Sequence, residues 1–291
     1  IDIAMITSLG REDNINELVR NYGMVIVDEC HHAAAVTHEN VLRAVTARYI
    51  YGMSATINRG DKQDKKMFMQ LGPIRHRYTA KERAQKQGIG HYIYPRFTRL
   101  VDLNQSEDRN PADYYRLIMQ SELRNMQIVS DTIDCVKRGR TPVVMTKYKE
   151  HAQKLYDMLQ GSADHVFLLQ GGKSLKERAA IREDMAAVRA DESIILVAIG
   201  QYVGEGFNYP RLDTMLLAMP ISFEGNVEQH AGRLNRDYEG KKDAIIFDYI
   251  DQHVPTLKRM YYKRLRAYKK IGYEICSEIT DKQEITNSIF D

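Results

Sequence analysis

The chain has 291 residues, 43% of them apolar, enough to bury a sizeable core and to divide into about two domains. No run of about 18 apolar residues and no basic–apolar–small leader is present, so neither a membrane span nor secretion is indicated. Its 42 basic and 39 acidic residues leave a net charge of +3, so any basic surface must be local, and Cys30, Cys135 and Cys276 lack CxxC spacing. That usage argues against disulfides and a cysteine-rich zinc site and suits a reducing cytoplasm.

In chain order, "IDIAMI" predicts a strand, "REDNINELVRNY" a polar helix and "MVIVDE" a buried strand. "THENVLRAVTAR" predicts a helix and "YIYGMSAT" a strand ending in small residues. Alternating apolar strands and helices imply a parallel sheet covered by helices. Between residues 75 and 103 the pattern degrades into "RHRYTAKERAQKQGIGHYIYPRF", read as the last edge of the first domain and a linker. Alternation resumes with one long helix over "YYRLIMQSELRNMQIVSDTIDCVKRG", then strand "PVVMT", helix "KEHAQKLYDMLQG" and strand "HVFLLQ". Helix "LKERAAIREDMAAVRA", strands "SIILVA" and "TMLLAMP", helix "NVEQHAGRLNR" and strand "DAIIFDYI" complete a second α/β unit. A basic, tyrosine-rich helix over "PTLKRMYYKRLRAYKKIGYEI" follows. The chain opens at Ile1 inside an apolar run without a methionine, which reads as a piece of a longer protein.

Catalytic groups of parallel α/β domains sit just past the carboxyl ends of strands, where Asp28 and Glu29 fall. An aspartate there can hold magnesium through water, and a neighbouring glutamate can orient and deprotonate attacking water. Ser54 and Thr56 of "SAT" bring hydroxyls to the end of the next strand. "EGFNYPRLDTMLL" forms a glycine-kinked loop after "IILVA", and "QHAGRLNR" places Arg233 and Arg236 three apart, on the same side of one helix. Each segment alone also fits a solvated strand end, a small-residue turn or a basic helix face.

Together and in this order they resemble superfamily 2 helicases and translocases, closest to the DEAH-like branch of restriction-enzyme motor subunits and excision-repair type DNA helicases. "DECH" (28–31) resembles motif II, "SAT" motif III, "VAIGQYVGEGFNYPRLDT" motif V, "QHAGRLNR" motif VI and "IAMITSL" motif Ib. The resemblance implies an α/β fold of two RecA-like parallel-sheet domains, the first incomplete at its N-terminus. It implies domains over 1–91 and 106–254, a linker over 92–105 and a basic helical extension over 255–291.

The resemblance also assigns roles. ATP is the substrate and magnesium the ion, held by Asp28 through water; Glu29 handles the attacking water. His31 couples to Gln229 across the cleft, with Ser54 and Thr56 beside it. Arg236 is the arginine finger and Arg233 its auxiliary; Gly206 lets the loop approach the nucleotide, and Asn208 stands where aspartate is common. Thr7, Ser8, Thr146 and Lys147 grip nucleic-acid phosphates. Zinc at His31, His32 and His38 is the weaker competitor, because adjacent histidines on a short turn point apart.

A phosphate-cradling loop, G-x-x-x-x-G-K followed by Ser or Thr, should precede Asp28, yet nothing in the first 27 residues fits. "GGKS" at 171–174 is a decoy: the pattern demands glycine at Phe167, and it follows the acids. The resemblance implies instead a "G…S…ER" element of the second domain, its helix N-terminus holding a backbone phosphate. The chain alone is therefore expected not to hydrolyse ATP; the parent would be an ATP-dependent DNA helicase or translocase completed by the N-terminal part of the same chain. An RNA helicase, or a nucleic-acid-binding or scaffolding fragment without motor activity, are the rival readings. The terminal helix, with Lys258, Arg259, Lys263, Arg264, Arg266, Lys269 and Lys270, either adds phosphate contacts or is a solvated face packing its tyrosines on the core.

Overall fold

The computed structural model describes residues 1–11, 14–33, 36–54, 64–78, 82, 86, 88–101, 110–172, 174–203, 207–221 and 230–276. The chain divides into two compact units, 1–77 and 78–291.

In the first unit, β1 (Gly10–Arg11) and β2 (Asn14–Ile15) form an antiparallel hairpin. β3 (Met24–Val27) and β4 (Tyr49–Gly52) pair in parallel, Val25 opposite Ile50. The helix Val36–Ala44 lies on the crossover between them, and the helix Asp64–Leu71 follows. Two expectations fail here. Residues 1–5 are irregular and lead into one helical turn, Ile6–Leu9, rather than a strand. The polar stretch expected as a helix is the hairpin plus a 3-10 turn, Glu17–Arg20. The Asn16 side chain accepts from the Leu18 N–H at 2.9 Å, a local bond that starts a tight turn where a continuous helix would need the backbone. β3 is also not buried on both faces. Val27 packs toward Cys30, Ala33, Leu42, Met67, Phe68 and Leu71, while Met24, Ile26, Tyr49 and Tyr51 are exposed. Side chains alternate along a strand, and among the described residues the helices pack on the Val27 side.

The second unit is built on seven strands: β5 (Gly90–Phe97), β6 (Pro142–Thr146), β7 (His165–Leu169), β8 (Ile194–Ile199), β9 (Thr214–Leu217), β10 (Asp243–Ile250) and β11 (Glu274–Ile275). Their order is β11-β5-β10-β9-β6-β8-β7, and every neighbouring pair is parallel. Every residue of β6, β8, β9 and β10 is buried. Val143, Leu196, Met215 and Ile246 join the core on one face, and Val144, Val197, Leu216 and Phe247 join the core on the other. Burial on both faces is why these strands read as near-continuous apolar runs, interrupted in β10 by Asp248. The helices Pro111–Gln120, Glu122–Lys137, Lys149–Leu159, Leu175–Ala187 and Pro255–Lys270 accompany the sheet. The α/β parallel-sheet class expected from the sequence is thus what folds. Among the described residues no helix is long and apolar enough to cross a membrane.

Three boundaries differ from the sequence reading. The stretch read as a linker over 92–105 begins inside β5, which pairs along its whole length with β10, Ile93 opposite Ile246. The units therefore part at 77, not 91. Pro95, which argues against a central strand, lies beyond the two residues of β5 that β11 covers. The single long helix is two, because Ser121 adopts an extended backbone and caps the second through the Arg124 N–H. The terminal helix stops at Lys270; Gly272, at φ 83°, turns the chain so that β11 can join the sheet edge.

Buried charge pairs tie these elements together. Arg264 holds Asp248 of β10 with two bonds of 2.8 Å, and the Tyr268 hydroxyl donates to the same carboxylate. The sequence reading placed Arg264 with the outward cations; the structure buries it. Arg124 donates to Asp251 at 2.9 Å and to the Ala218 carbonyl at 2.6 Å. Arg96 grips Asp131, which also accepts from the Tyr249 hydroxyl.

His151 is 1% exposed, with Nδ1 2.8 Å from the Thr146 hydroxyl and Nε2 2.9 Å from Asn125 Oδ1. The Asn125 amide donates to the Met119 carbonyl, so its oxygen accepts from His151 Nε2–H and Thr146 donates to Nδ1. Burial, then the charges of Arg124 and Lys154, push the His151 pKa down to about 3. Burial, with Arg233, pushes that of His230 down to about 4. The unfolded chain takes up both protons near pH 6.5 while the folded chain refuses them, so stability is full above that pH and lost as pH falls. At about 1.4 kcal/mol per unit, either histidine is expected to cost on the order of 3 kcal/mol by pH 4. Urea unfolding followed from pH 7 to pH 4 should show this loss, and His151→Gln should flatten it; an equal slope in the variant would contradict the assignment.

Candidate active site

Asp28 and Glu29 follow the last residue of β3, where the parallel pair delivers its turns. Glu29 has φ 46°, the one described non-glycine residue in the left-handed region. That conformation costs about 1–2 kcal/mol for an L-residue and persists only where neighbours over-determine it. Asp28 Oδ1 accepts the Glu29 N–H at 2.9 Å. The backbone then locks the turn to the end of β4: Met53 N–H donates to the Val27 carbonyl, and Cys30 N–H to the Met53 carbonyl, both at 2.9 Å. His31 Nδ1 lies 2.9 Å from Ser54 Oγ and 3.1 Å from Glu29 Oε2, so the imidazole links the glutamate to the small-residue turn.

Asp28 is exposed, and its second carboxylate oxygen is not used by the turn bond to Glu29 N–H. One carboxylate in this position suits magnesium, which keeps most of its waters and otherwise binds substrate phosphates. Among the described residues no three of His, Cys, Asp or Glu converge as a metal-binding set. Cys30 is buried with Ala33, Leu42 and Met67, and burial raises its pKa, so it serves packing. Thr56 lies outside the described residues.

In the second unit, residues 230–234 are helical. Ala231 and Leu234 are buried, and a Cβ on Gly200, just past β8, would stand 3.2 Å from His230 Nε2. Arg233 Nη1 donates to the Phe207 carbonyl at 3.2 Å, linking this helix to the loop whose next residue, Asn208, is exposed. Arg236 is half-buried, but the helical residues end at Leu234, so the two arginines do not share one helix face as the spacing predicts. Lys241 supplies the reason. Its ammonium is 3.0 and 2.9 Å from the Leu234 and Arg236 carbonyls and 2.5 and 2.8 Å from those of Pro210 and Leu212. It ends the helix and fastens it to the preceding loop. Burial pulls its pKa down to about 8, opposed by Asp213 and Asp237. A lysine after "YEG" looks in the sequence like any solvated turn residue, so Lys241 carries no signal there. Gly206 and Gln229, the expected partner of His31, lie outside the described residues.

Thr7 and Ser8 are exposed on the first helical turn, with the Ser8 hydroxyl donating to the Met5 carbonyl at 2.6 Å. Thr146 is buried and its hydroxyl is taken by His151, so it is not a phosphate contact of the kind expected. Lys147 is exposed, its Nζ 4.3 Å from the Tyr115 ring centre and 5.5 Å from that of Tyr148. The helix after "GGKS" does not offer a bare N-terminus either. Ser174 Oγ accepts from Glu177 N–H at 3.2 Å while Glu177 accepts from Ser174 N–H at 2.6 Å, a reciprocal cap.

Comparison with known proteins finds helicases and restriction-enzyme subunits among the similar chains. The family model for the Type III restriction enzyme, res subunit, matches residues 1–59. The protein named "Probable helicase D10" of Escherichia phage T5 is 26% identical over 280 residues, covering 92% of this chain and 57% of its own length. The ATP-dependent DNA helicase uvsW of phage T4 is 21% identical, covering 81% of this chain and 47% of its own. Among solved structures, "The fragment structure of a putative HsdR subunit of a type I restriction enzyme from Vibrio vulnificus YJ016" superposes with a TM-score of 0.61 at 19% identity. It covers 88% of this chain and 47% of that one. The chain spans about half the length of the curated relatives it matches. The resemblance to superfamily 2 helicases, with its closeness to restriction motors, is borne out.

Two substitutions test the scaffolding. A Cβ at Gly52 would fall 2.7 Å from Leu71 Cδ1 and 3.0 Å from Cys30 Cβ. Gly52→Ala is expected to destabilise the first unit by about 1–3 kcal/mol, seen as a lower denaturation midpoint. Lys241→Met leaves four carbonyls without their charged donor and is expected to cost the second unit about 1.5–3 kcal/mol in the same measurement.

Proposed function

We propose that the chain is the motor part of an ATP-dependent DNA helicase or translocase, coupling ATP hydrolysis to movement on nucleic acid. The observation that carries this reading is the strained Asp28–Glu29 turn at the end of a parallel strand, bonded through His31 to Ser54 on its neighbour. In this reading Asp28 holds a magnesium ion through water, and the ion neutralises phosphate charge. Glu29, fixed by its left-handed backbone and by His31, orients the attacking water and accepts its proton. Ser54 and Thr56 relay the state of that turn, and His31 answers to Gln229.

Arg236 supplies a guanidinium to the charge that develops on the transferring phosphoryl group. Arg233 assists it and fixes the loop through the Phe207 carbonyl, beside Gly206 and Asn208 at the nucleotide. Thr7, Ser8 and Lys147 contact the phosphates of the strand, with Thr146 holding the Lys147 turn from within. DNA is the proposed substrate because the T4 relative is named a DNA helicase and the matching family model is a restriction subunit. The reducing cytoplasm is the proposed compartment, in keeping with the free thiols of Cys30, Cys135 and Cys276.

The test is made in a chain that joins these residues to a phosphate-binding loop. Hydrolysis of ATP should be stimulated by DNA more than by RNA. Arg236→Ala should lower turnover by at least about 10³-fold with little change in nucleotide affinity. Arg236→Lys should rescue poorly, because an ammonium cannot reproduce the planar fork. Turnover near the parent rate in the alanine variant would remove Arg236 from this role and make Arg233 the next candidate.

A further inference from the structure

The helix Pro255–Lys270 sorts its residues by side. Leu257, Tyr261, Arg264, Ala267 and Tyr268 are buried, and Asp248 neutralises Arg264. Lys258, Arg259, Lys263, Arg266, Lys269 and Lys270 are exposed. The helix holds seven of the chain's 42 basic residues and none of its 39 acidic ones, so without it the chain is net acidic. The small positive balance of the whole sequence is thus a local field.

Arg259, Tyr262, Lys263, Arg266 and Lys270 fall at i, i+3, i+4, i+7 and i+11, one face of a helix. Tyr262 is 53% exposed in the middle of that face. Among the described residues no carboxylate pairs with Arg259, Lys263 or Arg266; Arg259 reaches only the Thr256 hydroxyl, at 3.1 Å. Like charges one turn apart repel, and an incoming polyanion relieves that repulsion.

We propose that this outward face docks the phosphodiester backbone of nucleic acid, independent of base sequence. The nature of the polyanion rests on the motor reading above; the surface itself is an addition to it. From Lys258 to Lys270 the helix rises about 18 Å, room for several phosphates. Tyr262 offers a ring against which a base or sugar can stack between the cations. An anionic membrane is the lesser fit, because a surface-lying helix needs an apolar face to insert, and here that face is spent on the core.

The test uses the 291-residue chain and a fluorescent single strand of about 20 nucleotides, with anisotropy read between about 50 and 200 mM salt. The triple variant Arg259→Gln, Lys263→Gln, Arg266→Gln keeps good helix formers at exposed positions. It should bind at least about 10-fold more weakly, with the slope of log K against log salt reduced by about 2. The charge-keeping triple Arg259→Lys, Lys263→Arg, Arg266→Lys should bind as the parent does. A glutamine triple of unchanged affinity and slope overturns the proposal; if Lys147→Gln then weakens binding, the motor reading survives alone. A parent chain that binds phosphatidylserine vesicles but no nucleic acid overturns both the proposal and the nucleic-acid partner.

Discussion

Parallel pairing is the constraint on which the rest of this molecule depends. Parallel strands cannot be joined by a tight hairpin, so each connection must leave one end of the sheet and return to the other. Turns that follow the strands therefore gather at their carboxyl ends, free of ladder bonding and available for chemistry. In the first unit this brings the acid turn after β3 beside the serine turn after β4, close enough for two backbone bonds and a histidine bridge. In the second it sets Lys147 just past β6 and the Asn208 loop beyond β8. The left-handed Glu29 is where that geometry is forced hardest, and the backbone bonds across β3 and β4 hold it there.

The second unit carries its desolvated charges differently. Guanidinium and carboxylate are costly to bury singly, and the pairs Arg264–Asp248 and Arg124–Asp251 bury both partners almost completely. Each satisfies further polar groups: the Ile221 and Ala218 carbonyls and the hydroxyls of Tyr268 and Thr98. Such pairs add less to stability than their Coulomb energy suggests, but they permit only one register. Asp248 admits Arg264 at one rotation of the terminal helix, and that rotation turns the other cations outward. Lys241 works by the same logic on a smaller scale, setting where the helix before Arg236 must stop.

Much of the second unit was legible in the sequence because its strands are buried on both faces. "PVVMT", "SIILVA" and "DAIIFDYI" are largely apolar runs for that reason, and the helix Lys149–Leu159 buries Ala152, Leu155 and Leu159 at helical spacing. The first unit was less legible. Its strands are short and covered on one side, and Asn16 redirects a polar segment into a turn that propensity reads as helix. β5 hid behind Pro95 and its basic neighbours, since only pairing with β10 reveals "HYIYPRF" as a strand.

For the site, the chemistry-bearing residue types at their spacing marked Asp28, Glu29, His31, Ser54, Arg233 and Arg236, and through them the likeness to nucleic-acid motors. Local sequence suffices for this, because acids after an apolar run, small residues after the next, and arginines three apart are patterns along the chain. What lies at right angles to the chain was decided by the tertiary structure alone. The positive φ of Glu29 comes from strand-to-strand bonds, and the loss of the Thr146 hydroxyl to His151 comes from a buried network. The burial of Arg264 comes from Asp248 in a strand sixteen residues away, and the break before Arg236 comes from the reach of Lys241. Each depends on a partner that sequence order does not name, since a hydrogen bond or an ion pair requires proximity in space.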